Sequence, residues 1–72
     1  MLISELQVGD ILRSELEEET WLIISDDNNS FIYFILESME KGGFYKSSME
    51  IRSWSVIRDG EIILEDKTNE NS

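Results

Sequence analysis

The sequence predicts an all-β domain: a small barrel or a compact antiparallel sheet of five to six short strands, with room for one short helical turn. Three observations carry that prediction. Trp21, Leu22, Ile23 and Ile24, and again residues 31–36, are dense runs of β-branched, aromatic and leucine side chains bounded by polar residues. Turn-forming residues recur about every ten residues, the rhythm of short strands. Asp59-Gly60 lies between two apolar runs, the strongest local hairpin signal a sequence offers.

Taken in order, residues 3–9 read as a lead-in turn, and Gly9-Asp10 opens a first apolar alternation over residues 11–14. Residues 15–19 form a charged break in which Leu16 is the single apolar residue. Glu and Leu are good helix formers, so this break is either a turn or one turn of helix. Residues 20–25 are the first strong strand. Asp26, Asp27, Asn28 and Asn29 follow as a turn, because Asp and Asn tolerate left-handed backbone and bond their own main chain. Residues 30–37 are the second strong strand, and the two should pair as a hairpin. Glu40, Lys41, Gly42 and Gly43 read as the next turn, with the glycines free to take positive φ. Residues 44–49 are a weaker strand, and 53–58 and 61–65 flank Asp59-Gly60. One domain over residues 1–65 is expected, followed by a flexible polar tail over 66–72, where no residue is apolar.

Composition narrows the function. The 72 residues hold 16 Asp plus Glu against 6 Lys plus Arg, with no His, no Cys and no Pro. Lacking Cys, the chain has no disulfide framework, thiol nucleophile or cysteine zinc site. Lacking His, it has no imidazole to act as general base or metal ligand. No glycine pattern spells a phosphate loop, and a calcium loop starting at Asp26 or Asp27 places Phe31 where a Gly or an oxygen ligand belongs. No metal, cofactor or catalytic residue is nominated, and the chain is not expected to be an enzyme. A net charge of −10 argues against direct binding to nucleic acid or to anionic membranes. The start of the chain has no basic segment leading into a long apolar one, so a cytoplasmic protein is expected.

The stretch Ile3-Ser4-Glu5-Leu6-Gln7-Val8-Gly9-Asp10-Ile11-Leu12 resembles the entry into the SH3-like small barrels of bacterial and phage proteins, where a turn ending in Val-Gly-Asp feeds the first strand. Trp21 to Ile24, the polar turn and the apolar strand after it extend that likeness over residues 3–37. The resemblance implies a binding module. It carries over no ligand residue. In type, small, Cys-free, strongly acidic chains are also similar to the accessory proteins that phages make to inhibit host machinery.

Charge placement sharpens the expectation. Residues 41–58 hold Lys41, Lys46, Arg52 and Arg58 against Glu50 alone, a sum of +3, whereas the rest of the chain sums to −13. The leading account makes the acidic majority the working face. Glu15, Glu17, Glu18 and Glu19 with Asp26 and Asp27 would bind a basic surface of a host protein, such as defence or nucleic-acid-handling machinery, with electrostatic steering. A second account makes the basic stretch the site of a small phosphorylated, nucleotide-like ligand. Lys46, Arg52 and Arg58 would hold the phosphate, and Tyr45 and Trp54 the base. A third is an adaptor or assembly subunit. Both faces of residues 31–36 are apolar: Phe31, Tyr33 and Ile35 on one, Ile32, Phe34 and Leu36 on the other. A domain this small has one interior, so the second face calls for the chain ends, a partner or a second copy of the chain.

Overall fold

A computed structural model describes residues 1–51 and 53–65. Arg52 and residues 66–72, with the expectations attached to them, lie outside the described residues. A 3-10 turn, Ile3–Glu5, is followed by six strands: β1 (Ile11–Ser14), β2 (Glu19–Asp27), β3 (Ser30–Ile35), β4 (Glu40–Tyr45), β5 (Ser55–Arg58) and β6 (Glu61–Leu64). They form one antiparallel sheet in the order β4-β3-β2-β1-β5-β6. β1 to β4 thus run as a meander, and β5 returns to the free side of β1. The described pairings leave β4 and β6 as the two edges.

Alternation sorts the side chains onto two faces. Leu12, Ile23, Phe31 and Val56 point to one face and are buried there together with Leu6 from the lead-in. Trp21, Tyr33, Phe44 and Leu64 pack against that cluster from four strands. Met1, Ile3, Ile51 and Trp54, from the segments outside the strands, close over it. The sheet must curl to bring Phe44 of the β4 edge within 6.3 Å of the Trp21 ring two strands away. The lead-in is tied down by backbone bonds: Ile3 donates to the Met49 carbonyl at 3.0 Å, and Ser4 to Ser47 at 3.0 Å.

The turns show where local chemistry decided and where it did not. At the β5–β6 hairpin, Asp59 (φ 53°) and Gly60 (φ 83°) both take positive φ, as the tight two-residue hairpin turn requires. Residues 15–18 are a turn rather than a helix, and Ser14 Oγ accepts the Glu17 N–H at 3.1 Å to close it. β2 extends to Asp27, so the next turn shrinks to Asn28 and Asn29.

The expected turn at residues 40–43 is corrected. Those residues belong to β4, and the chain reverses over 36–39, with Met39 taking the left-handed conformation (φ 61°). β4 also ends at Tyr45 rather than running on to Met49. The physical reason lies in Tyr33. Its ring lies on Trp21, centroids 3.9 Å apart and planes 2° from parallel, and it also covers Gly42. A Cβ at position 42 would fall onto the Tyr33 hydroxyl and ring edge. The glycine is there to leave room for the stack, so Met39 bears the backbone strain, which costs about 1–2 kcal/mol for an L-residue. Gly42→Ala is expected to lower stability by about 1–3 kcal/mol, measured by urea unfolding, because Tyr33 is held by Trp21 and cannot yield cheaply.

Candidate functional site

The antiparallel meander brings the β1–β2 and β3–β4 turns to the same end of the sheet. That end collects Glu15, Glu17, Glu18, Glu19, Glu37 and Glu40, with Glu65 at the end of β6, against Arg13 and Lys41, so acids dominate it among the described residues. Arg13 is already engaged, 3.4 Å from Glu37 and 4.0 Å from Glu15. Thr20 donates its N–H and its hydroxyl to Glu37, each at 2.7 Å. Those bonds, with a smaller contribution from the Arg13 charge, hold the Glu37 carboxyl below the usual carboxylate range. Glu37 thus staples the β3–β4 turn to β2.

Beside this rim opens an apolar groove of about 660 Å³, lined by Leu12, Trp21, Phe44, Met49, Ile51 and Trp54 among others. It lies between the inner face of the sheet and the segment leading into β5. A second recess of about 400 Å³ continues it past Trp21 and Trp54 to Leu16, Glu17 and Glu19. The two tryptophan rings, 4.7 Å apart and inclined at 50°, form the wall shared by both recesses. Trp21 is fixed on three sides. Tyr33 stacks on one face, Phe44 packs at 6.3 Å, and its Nε1–H donates to Glu19 Oε1 at 3.0 Å. One carboxylate oxygen of Glu19 is therefore aimed at the groove wall.

The sequence nominated two groups of residues, and the structure divides both. Glu15, Glu17, Glu18 and Glu19 do lie together. Asp26 and Asp27 lie at the other end of β2, about 23 Å along the strand from Glu19. Asp26 pairs there with Lys46, whose ammonium also sits 4.9 Å from the centre of the Phe31 ring. The described members of the basic group, Tyr45, Lys46, Trp54 and Arg58, do not converge either. Arg58 grips Asp10 with two hydrogen bonds, 2.8 Å from Nε and 2.7 Å from Nη2, and it donates to the Glu5 carbonyl at 3.2 Å. Tyr45 is exposed on an outward position of β4, and Trp54 stands at the opposite end of β5 from Arg58. Lys46 and Arg58 are thus committed to carboxylates rather than presented to a phosphate.

The Asp10–Arg58 pair is structural. Asp10 is 1% exposed, and its carboxylate also accepts the Gln7 N–H at 2.8 Å. Burial pushes the Asp10 carboxyl up. The Arg58 hydrogen bonds, the Gln7 bond and the Arg58 charge together outweigh burial and leave it below its ordinary value. Among the described residues, no group of three or more carboxylates is placed to hold a metal ion. Nor is any helix among them long and apolar enough to cross a membrane.

Sequence reasoning missed Trp21 and Phe44 as site residues, since a tryptophan in a strong strand reads as core. The sequence groups Trp54 with Arg58, whereas the structure sets it against Trp21. The available signal was the pairing of two tryptophans with flanking glutamates, yet only the fold makes them neighbours. Compared with known proteins, the chain matches no family model, and no curated protein or solved structure matches it.

Proposed function

We propose that this chain is a non-enzymatic binding protein whose partner is a protein presenting a basic segment. The observation that carries the reading is the junction of Glu17 and Glu19 with the Trp21–Trp54 wall of an apolar groove. A Lys or Arg side chain can lay its stem and charge against the tryptophans, where cation–π attraction contributes about 0.5–2 kcal/mol. Its head group then reaches Glu17 or the second oxygen of Glu19 in charge-assisted hydrogen bonds. An adjoining apolar side chain of the partner fills the groove over Leu12, Phe44 and Ile51. The remaining carboxylates of this end steer the encounter, so binding is fast and salt-sensitive. An inhibitor of a host protein with a basic surface would work in this way. The phosphorylated-ligand reading draws no support from Lys46 and Arg58, which face Asp26 and Asp10.

The test follows the two indole N–H resonances while the chain is titrated with a pool of Lys- and Arg-rich peptides and, separately, with a Glu-rich pool. The basic pool is expected to shift both indoles at low salt and to lose its effect near about 0.5 M salt. Replacing Glu17 and Glu19 together by Gln is expected to weaken binding at least about tenfold without changing the fold. Basic peptides that bind equally well to the double variant, or that shift only signals near Asp26 and Asp27, would refute the proposal.

A further inference from the structure

The outward face of the sheet carries a second pattern. Register places Ile62, Ile57, Ile11, Leu22 and Phe34 side by side across β6, β5, β1, β2 and β3, one apolar row through five strands. Ile32 lies on the same face, two residues along β3 from Phe34. The segments outside the strands send Met1, Ile3, Leu6, Ile51 and Trp54 to the inner cluster, so their bulk lies on the other side. Ile62 is 64% exposed, and the other four of the row are half-buried by one another.

The charges are the telling feature. On a chain of net charge −10, the outward strand positions hold Asp27 as their one acid, at the far turn, against Arg13 and Lys41, and Glu37 reaches this face from the β3–β4 turn already bound to Arg13 and Thr20. Register therefore brings an acid-free apolar row against itself when two copies meet on this face. Size agrees. Six strands at about 4.8 Å spacing, each showing about five residues at about 3.3 Å, make a face of roughly 29 by 17 Å, about 490 Å². Two such faces in full contact would bury about 1,000 Å², the lower bound for a specific interface, and the curl of the sheet centres that contact on the middle strands β2, β1 and β5.

We infer that a second copy of this chain docks on the outward face, the two apolar rows antiparallel about a two-fold axis near Ile11. The inference is independent of the groove. In the dimer the two grooves face away from each other, which makes the assembly bivalent toward a basic partner.

Sedimentation equilibrium of the full chain decides it, from about 1 µM to about 1 mM. The expected mass is twice the 8.4 kDa of one chain. Added salt is expected to tighten the dimer, because it screens like charge, the reverse of its effect on a basic ligand. Ile62→Glu, at an exposed position, and Leu22→Glu are expected to weaken it by about 100-fold or more. Met49→Glu, on the groove side, should leave it intact. Near-ultraviolet dichroism from the tryptophan cluster checks that each variant is folded, and Ile62→Glu decides alone if Leu22→Glu is not. A monomer at every concentration overturns the inference. So does a dimer indifferent to Ile62→Glu, one lost in Met49→Glu, or a monomer that instead co-sediments with anionic vesicles.

Discussion

Asp10→Ala is expected to destabilise the domain by about 3 kcal/mol, read from the urea midpoint, because it strands a half-buried guanidinium and the Gln7 N–H together. A domain of 72 residues commands only about 4–11 kcal/mol in total, so the variant sits close to unfolding at room temperature. The loss has a pH signature. The folded carboxyl of Asp10 is held below its ordinary value, so its contribution is fully present above the unfolded pKa and disappears as pH falls through the folded one. The native protein should therefore lose stability on acidification below about pH 4, and part of that slope should be missing in Asp10→Asn. A variant with an unchanged acid limb would show that Asp10 is not a main contributor to acid unfolding.

Trp21→Ala is expected to cost about 4 kcal/mol and to abolish peptide binding in the same step. Its ring is the hub of the inner face, stacked on Tyr33, wedged against Trp54 and packed with Phe44. Removing it opens a cavity in the cluster and leaves Tyr33 without its stacking partner above Gly42. Thermal unfolding by circular dichroism measures the first effect, and titration well below the new midpoint measures the second. The groove wall is thus also core, which is why Glu17 and Glu19, and not the tryptophans, are the residues to change when binding alone is to be tested. Trp21→Ala that unfolds no earlier than the native chain would show that the cluster is loosely packed and would undo the claim of a preformed wall.

Much of the sheet was legible from residue types. β2, β3 and the β5–β6 hairpin follow from dense apolar runs and from Asp59-Gly60, because these signals act within a few residues. The double glycine at 42 and 43 misled for an instructive reason. Glycine is read locally as backbone freedom, but Gly42 is used for its missing side chain beneath a ring that arrives from β3. The acidic cluster was half legible. Glu15 to Glu19 are neighbours in any fold that makes 15–18 a turn, whereas their distance from Asp26 depends on β2 running straight through to Asp27.

By itself, the sequence determined an all-β chain without thiol or imidazole chemistry, strongly acidic, with more apolar surface than one small interior can use. Those properties follow from composition and from periods of two residues, which survive any arrangement of the strands. Tertiary structure alone decided which charges are spent and which are offered. Arg58 could be assigned to Asp10, and Lys46 to Asp26, only once β5 had returned beside β1 and the end of β4 had met the β2–β3 turn. Strand order likewise lined up Ile62, Ile57, Ile11, Leu22 and Phe34 from five separate strands. The reason is the same in each case: hydrogen-bond register couples residues tens of positions apart, and no local pattern carries that information.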